Sequence, residues 1–312
     1  MDTSLDHFPQ HSPLEPVDPF SERGDEGRCE ERGEQLVVYD PAFMLPLASH
    51  LLDPGCLVEV REVVRTGVLS YLLVSLSSHE TDVRRAAAHC ISRFASHLHS
   101  SSSREKPQLS LLLRVVKNTL DEEPQRLPSL HALFLARVAQ VFLQPECQLY
   151  MKAGHYLVHK PTLELRDIPL FNTLFLHTTS PQDVGECEWL LRVLGGGLRC
   201  EEDYRLYQRK RVLPHLLALY TELSLDSKTR TLILELVLRA CVFPVAVCDL
   251  VWNHGLLPWL TQATSCSDQS VVQRILSKAC KLVEEEDSDS DRGWKPPPLL
   301  EEELSLTTAR FM

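Results

Sequence analysis

The sequence predicts an all-α protein, a degenerate armadillo- or HEAT-like α-solenoid with disordered acidic tails. Between residues 41 and 283 apolar residues recur at helical spacing, and no alternating Val/Ile-rich run with hairpin turns interrupts them. Three stretches also share one pattern, a polar cap, an arginine and an apolar stripe: SSHETDVRRAAAHC, SLDSKTRTLILEL and SCSDQSVVQRILSK. Units of this kind bury their apolar faces only by stacking on their neighbours. A compact helical bundle is the alternative architecture.

The formal net charge of −11 belongs to the two ends of the chain. Residues 1–40 carry eleven acidic and three basic side chains, and residues 284–312 carry nine and three. Both ends have few large apolar groups, so burial cannot offset the entropy lost on ordering. The predicted organisation is a disordered acidic segment over 1–40, a helical-repeat domain of roughly a dozen helices over 41–283, and an acidic, proline-containing disordered tail over 284–312.

Individual helices follow one another along the predicted domain. Ser77 and Glu80 have the spacing of a capping box, which predicts a helix start there, with an apolar stripe over 83–98 behind it. Similar stripes run over 130–142 and 272–283. The stretch TLILELVLRACVF is apolar nearly all round, which indicates a central helix covered on both sides.

The sequence contains no motif for catalysis, a cofactor or a metal. GxSxG, HExxH, CxxC and paired-carboxylate patterns are absent, and the ten cysteines are scattered. We expect reduced, mostly buried thiols, no cofactor, no metal site, no small-molecule substrate and no enzymatic activity. Gly195–Gly197 is interpreted as a helix cap with a left-handed turn into the next helix, not as a phosphate cradle. Apolar runs such as VLSYLLVSL are far shorter than the roughly 20 residues that span a bilayer, so no membrane is expected.

The stretch EEDYRLYQRKRVLPHLLALY is the candidate contact site for a polyanion. Over 201–212 the acidic residues occupy the first turn of a predicted helix and residues 209–211 its last, as the helix macrodipole favours. Glu201 and Arg205 stand four apart, in the favourable order for an ion pair. Three consecutive bases nevertheless exceed what the dipole needs. Two interpretations stay open: a structural helix end, or contact with a polymer such as RNA through Arg205, Arg209, Lys210 and Arg211.

The acidic tail carries a possible modification site. Ser288 and Ser290 lie among acidic residues in EEEDSDSD, a context that acidophilic kinases use, and phosphorylation there would deepen the negative charge. The alternative interpretation is a solvated tail that only aids solubility.

Four long phrases carry a resemblance to a known family: YDPAFMLPLASHLL, GVLSYLLVSLSSHETDVRRAAAHCISRF, LPSLHALFLARVAQVFLQPECQLYMKAGHYLVHKPTLELRDIPLF and CEEDYRLYQRKRVLPHLLALY. From about Tyr39 to Lys281 the chain resembles the C-terminal domain of the nucleolar pre-ribosomal-associated protein 1 family, also called unhealthy ribosome biogenesis protein 1. Full members are several times longer, with a large N-terminal helical domain. The chain is then a fragment, a partial gene model or a short paralogue.

The resemblance implies a function and partners. Members are nucleolar helical-repeat scaffolds in early 60S pre-ribosomes, working with a second large scaffold, a DEAD-box helicase and smaller assembly factors. They support processing of the precursor that yields the large-subunit and 5.8S RNAs. By this resemblance we expect a non-catalytic scaffold of the nucleus and nucleolus that contacts pre-ribosomal assembly factors, and pre-rRNA through its backbone.

An armadillo-like adaptor that binds extended peptides in transport or signalling is the alternative function. Such adaptors line a groove with regularly spaced tryptophan and asparagine. The four tryptophans here are Trp189, Trp252, Trp259 and Trp294. Their spacing is irregular, which favours the scaffold.

Overall fold

The computed structural model describes residues 8–10, 39–120, 126–175, 181–221, 225–263, 271–275 and 277–278. These residues contain helices and no strand, so the all-α prediction is confirmed. The helices up to residue 263 are α1 Pro41–Leu51, α2 Val60–Arg65, α3 Val68–Ser75, α4 Thr81–Ser100, α5 Lys106–Thr119, α6 Ser129–Val141, α7 Gln148–His159, α8 Phe171–Phe175, α9 Pro181–Gly197, α10 Glu201–Arg209, α11 Val212–Tyr220, α12 Ser227–Ala240, α13 Pro244–His254 and α14 Leu256–Ala263.

The helices fall into two compact units, residues 1–170 and residues 171–312. Within each unit, helices that are close in sequence are also close in space, as in a solenoid. In the first unit α4 packs on α1, α3 and α5, and α7 packs on α5 and α6. In the second unit α9 packs on α8 and α12, and α11 packs on α10 and α12.

Helix α3 forms the centre of the first unit. All residues from Leu69 to Leu76 are buried, and α3 packs most extensively against α6. Its polar groups are satisfied inside the core: Ser70 Oγ donates to the carbonyl of Ala136 at 3.0 Å, and Gln140 Nε2 donates to Ser70 Oγ at 3.1 Å. Because each buried leucine contributes roughly 2 kcal/mol, this apolar helix holds its neighbours together.

The predicted capping box at Ser77 is wrong. Helix α4 begins at Thr81, with Glu80 as its N-cap and no capping hydrogen bond from that side chain. Ser77 Oγ instead donates to the carbonyl of Val74, and Ser78 Oγ accepts from the backbone N–H of Glu80. The shared pattern does mark a capped helix start at Asp226, whose carboxylate accepts from the N–H of Lys228 at the start of α12.

The predicted left-handed cap at Gly195–Gly197 is also wrong. The three glycines form the buried last turn of α9, and none of them has a positive φ. Arginines bind the carbonyls of two of them: Arg239 Nη1 donates to Gly195 O at 3.0 Å, and Arg199 Nε donates to Gly196 O at 2.9 Å. The helix end is therefore stabilised by side-chain donors, which the sequence did not reveal.

The seven cysteines of the described residues are free thiols, but the prediction that most of them are buried is wrong: three are buried, three are half-buried and one is exposed. Cys90, Cys187 and Cys241 are buried, and burial raises the pKa of Cys187 to about 11 and that of Cys241 to about 12. They are therefore protonated at neutral pH. The described residues contain no group of three or more His, Cys, Asp or Glu side chains arranged to hold a metal ion.

Within the described ranges no single helix is long and apolar enough to cross a membrane. Helices α12 and α13 taken together meet the length and composition, with a bend of 119° between them.

Part of the segment predicted to be disordered is docked on the first unit. Phe8 is buried, and Gln10 forms hydrogen bonds with the loop between α3 and α4. The prediction of a disordered segment over 1–40 is therefore wrong for residues 8–10. The remainder up to residue 38, and the predicted tail over 284–312, lie outside the described residues.

Candidate functional site

The candidate site is the turn between α10 and α11, which we call the basic corner and define as Arg209, Lys210 and Arg211. Arg209 is the last residue of α10, Lys210 is its C-cap, and Arg211 is the N-cap of α11. The sequence predicts one helix over 201–212; its start at Glu201 is confirmed, but it ends at Arg209. The chain turns at Arg211, whose backbone has φ 52° and ψ 38°, and a second helix begins at Val212.

The N-terminus of α10 is fixed by Asp203. One oxygen of this buried carboxylate accepts from the backbone N–H groups of Arg199 and Cys200, each at 3.2 Å, and the Cys200 thiol lies 3.1 Å from the same oxygen. Burial, reinforced by the charge of Asp203, raises the pKa of the Cys200 thiol to about 12, so the thiol keeps its proton and donates. With Glu201 and Glu202 also in the first turn, the acidic groups sit where the macrodipole favours them, as predicted.

Two buried tyrosines anchor the inner face of α10. Tyr204 Oη donates to Asp249 Oδ2 at 2.6 Å, which ties α10 to α13, and Tyr207 Oη donates to the carbonyl of Leu194 in α9 at 2.6 Å. Burial is the main cause that raises the pKa of both phenols, so both remain hydrogen-bond donors. With this face held, Arg205 and Arg209 point to solvent on the opposite face.

The four predicted contact residues differ in how far the protein already engages them. Arg205 Nη2 lies 3.0 Å from Glu201 Oε1, which confirms the predicted ion pair and leaves this guanidinium partly neutralised. The side chains of Arg209 and Arg211 are exposed and have no hydrogen-bonding or ionic partner in the described part of the chain. Lys210 is half-buried. The available positive charge is therefore concentrated at Arg209 and Arg211.

Arg211 occupies a position that a structural role does not explain. A non-glycine residue in the left-handed region costs about 1–2 kcal/mol relative to the right-handed helical region. A cation at a helix N-terminus is also opposed by the macrodipole, and Arg211 is the N-cap of α11. The dipole argument that accounts for Arg209 at the end of α10 therefore works against Arg211.

An aromatic group that the sequence did not predict lies beside the basic corner. His215 Nδ1 is 2.5 Å from the carbonyl of Arg211 and donates to it, and the exposed His215 ring stands edge-on to Phe171 and Phe175 at 6.3 and 6.2 Å between ring centroids. The signal was the i, i+4 spacing of Arg211 and His215 across the start of α11. An exposed imidazole bonded to the backbone of the basic corner offers both a hydrogen-bonding group and a stacking surface for a nucleic acid base.

The three tryptophans of the described residues differ in burial, and Trp189 on α9 is half-buried. Trp259 is buried, and its Nε1 donates to the carbonyl of Leu217 at 3.0 Å, which makes it a packing residue between α14 and α11. Trp252 on α13 is partly exposed. Trp294 and the candidate phosphorylation sites Ser288 and Ser290 lie outside the described residues.

The model of the nucleolar pre-ribosomal-associated protein 1 family matches residues 69–259. The chain belongs to this family. The matched range contains the basic corner and its anchors, from α3 into α14, whereas the docked residues 8–10 and helices α1 and α2 precede it. No solved structure matches the chain.

Curated proteins named nucleolar pre-ribosomal-associated protein 1 support this membership. The human protein is 29% identical over 256 residues, which is 81% of this chain and 11% of the human one. The mouse protein is 29% identical over 289 residues, 89% of this chain and 12% of its own length. The Saccharomyces cerevisiae protein is 22% identical over 242 residues, 63% of this chain and 14% of its own. The chain thus spans a small fraction of the length of these members of the nucleolar pre-ribosomal-associated protein 1 family, whose name indicates no catalytic activity.

Proposed function

We propose that this chain is a non-catalytic scaffold in the nucleolar assembly of the large ribosomal subunit. Family membership supports the proposal, since the relatives are named for the nucleolus and for association with pre-ribosomes. The helical surfaces would bind pre-ribosomal assembly factors, among them a second large scaffold and a DEAD-box helicase. Through them the chain would support maturation of the 5.8S and large-subunit RNAs, within the nucleus and nucleolus.

The basic corner is the proposed contact for precursor RNA. The observation that carries this is Arg211, an exposed and unpartnered arginine held at φ 52° where both backbone sterics and the helix dipole disfavour it. Arg209 and Lys210 add charge on the same corner, and Arg205 contributes less because Glu201 holds it. Contact with phosphates would follow the RNA backbone and not its base sequence.

The class of function is tested by purifying the tagged full chain from nuclei and sequencing the RNA that comes with it. The expected result is recovery of large-subunit precursors together with their assembly factors. Recovery of import carriers or signalling proteins without precursor RNA, or a diffuse cytoplasmic signal in cells, would support the peptide-binding adaptor instead and contradict the scaffold.

The RNA contact is tested by measuring the affinity of the full chain for a structured precursor fragment between 50 and 200 mM salt. A plot of log K against log salt loses about 0.7–0.9 of slope for each phosphate contact removed. We expect Arg211→Gly to reduce the slope by one such step, and joint replacement of Arg205, Arg209, Lys210 and Arg211 by alanine to reduce it by three to four steps.

The matched control is Arg85→Ala, which removes an exposed arginine that is paired with Asp82 in the first unit. This variant removes one positive charge, as Arg211→Gly does, and should leave the slope unchanged. If the fourfold alanine variant keeps the wild-type slope and full crosslinking to RNA, the basic corner is not the contact.

The acidic tail is proposed to be modified at Ser288 and Ser290. Phosphate groups there would add negative charge that competes with RNA for basic surfaces. Deletion of residues 284–312 should then raise the affinity of the chain for RNA, whereas an unchanged affinity would leave only the solubility role.

A further inference from the structure

A short piece of the N-terminal segment is bound to the first unit like a ligand. Twenty-eight residues separate Gln10 from Tyr39, the residue before the N-cap of α1. Phe8 is 4% exposed, and its ring packs edge-on against the ring of Tyr71 with 5.4 Å between centroids. Phe8 lies far before the first helix in sequence and is nevertheless buried, so its side chain anchors the segment on the first unit.

Polar contacts fix the segment two residues after the anchor. The carbonyl of Gln10 accepts from the backbone N–H of His79 and from Ser78 Oγ, each at 3.0 Å. The side-chain amide of Gln10 donates to Ser77 Oγ at 3.1 Å. Pro9 lies between the anchor and these bonds, and its fixed φ lowers the entropy lost when the segment binds.

The loop that receives the segment is held in place by other parts of the first unit. Arg126 Nε donates to the carbonyl of Ser77 at 2.7 Å, and Arg84 Nη1 donates to the carbonyls of Ser78 and His79 at 2.8 Å. Arg84 of α4 and Arg126 thus bind the carbonyls of this loop. The N–H of His79 and the hydroxyls of Ser77 and Ser78 are left to face the segment, a donor and acceptor set that is preorganised.

We propose that Tyr71, Ser77, Ser78 and His79 form a peptide-docking site. Its ligand is a short segment with an aromatic side chain followed, two residues later, by a glutamine whose main-chain carbonyl and side-chain amide both bind. Residues 8–10 are that ligand in cis. The site lies on a different unit from the basic corner, and it does not depend on RNA binding.

The test measures binding in trans by fluorescence anisotropy, with a labelled peptide of residues 5–13 as the probe. The receptor is the full chain carrying Phe8→Ala, whose own ligand is weakened. We expect the peptide to bind this variant about 10- to 30-fold more tightly than it binds the wild-type chain, because the tethered segment competes at an effective concentration in the millimolar range and Phe8→Ala weakens that competitor.

Two control peptides define the recognition. The same peptide with Phe8→Ala should bind about 30-fold more weakly, as loss of a buried aromatic anchor predicts. A peptide of residues 17–23, VDPFSER, presents a phenylalanine without the following Pro-Gln and should bind equally poorly. Equal binding of all three peptides, or equal binding of the probe to both receptors, overturns the proposal.

A second measurement avoids any substitution in the site, in case Phe8→Ala impairs folding. A protease recognition sequence placed between residues 20 and 30 allows the segment to be cut from an otherwise native chain. After cleavage, an excess of the 5–13 peptide should displace the N-terminal fragment, and the Phe8→Ala peptide should not. At a protein concentration of about 100 μM, a specific site should keep the fragment bound without the covalent link. Immediate loss of the fragment at this concentration contradicts the proposal.

Discussion

Two turns between consecutive helices, one in each unit, share a left-handed backbone conformation. One turn has glycine at the left-handed position and the other has arginine. In the first unit, Gly67 joins α2 to α3 with φ 83° and is buried. In the second unit, Arg211 joins α10 to α11 with φ 52° and is exposed. Both are N-caps in the left-handed region, and neither caps its helix through a side chain.

The comparison separates the left-handed backbone conformation, which such a turn requires, from the side chain, which it does not require. A corner of this type requires a left-handed residue, which glycine supplies without a steric cost. The corner at Gly255, with φ 60° between α13 and α14, also uses glycine. The turn therefore does not require an arginine at position 211, and the backbone conformation does not account for its side chain.

The largest effect is expected from exchanging the residue at the buried corner. Gly67→Arg places a side chain at φ 83° and a charge in a buried position, and should lower the free energy of unfolding by about 3 kcal/mol or more, measured by urea denaturation. Gly67→Ala introduces the backbone penalty alone and should cost only about 1–2 kcal/mol. Equal losses in the two variants would mean that burial does not distinguish the corners.

The next effect concerns the hydrogen bond that braces the exposed corner. Tyr204→Phe removes the donor from a buried carboxylate and should cost about 1–3 kcal/mol at neutral pH. Burial of Asp249 opposes its ionisation, but hydrogen bonds from Tyr204, Asn253 and Gln208 outweigh burial and lower its pKa below the usual 3.8. The loss should therefore be full above about pH 4 and shrink as the pH falls through the folded-state pKa, because protonation removes the charge that the bond stabilises.

Tyr207→Phe is the matched control for this pH dependence. Its hydroxyl donates to the neutral carbonyl of Leu194 from the same helix face, so its loss should not vary between pH 3 and 7. The same pH profile for both variants would show that Asp249 does not carry the effect.

A smaller effect of opposite sign is expected at the exposed corner. Arg211→Gly relieves the left-handed strain and removes a cation from a helix N-terminus, while the added chain entropy of glycine offsets part of the gain. The free energy of unfolding should rise by about 0.5 kcal/mol while RNA affinity falls. Arg211→Ala keeps the Cβ in the strained conformation and should gain less. A loss of stability in Arg211→Gly would assign the arginine a structural role.

The smallest effect is expected for Arg205→Ala. The Glu201–Arg205 ion pair is exposed and lies four residues apart on one helix, so it contributes about 0.3–0.5 kcal/mol at low salt. The difference from the wild type should vanish in 1 M salt because the charges are screened. A loss that persists in high salt would indicate packing by the arginine stem.

Local sequence patterns predicted the helices better than their ends. The stripe over 83–98 and the apolar segment of α12 are helices in the structure, since helical periodicity records which face packs. The capping box at Ser77 failed because Ser77 Oγ donates to the carbonyl of Val74, while Ser78 Oγ accepts from the N–H of Glu80. The left-handed turn at Gly195–Gly197 failed because the helix continues through these glycines, and a distant residue, Arg239, binds the Gly195 carbonyl.

The residues of the candidate site are proposed from the sequence, and their geometry comes from the structure. The charges of Arg205, Arg209, Lys210 and Arg211 are visible in the sequence, and so is the ion pair of Arg205 with Glu201. Pro214 marks the start of a new helix nearby, because its ring cannot continue the preceding one. The left-handed conformation of Arg211 is not visible, because arginine is a good helix former.

The sequence by itself determined that the chain is helical and which of its faces are apolar, because these properties follow from the order of residues within a few turns. It also carried the family membership. The tertiary structure decided which polar groups find partners and which remain free: Tyr204 with Asp249, Ser77 with Gln10, and Arg211 with none in the described residues. These pairings join residues far apart in the chain, and only the packing of helices sets the distances between them.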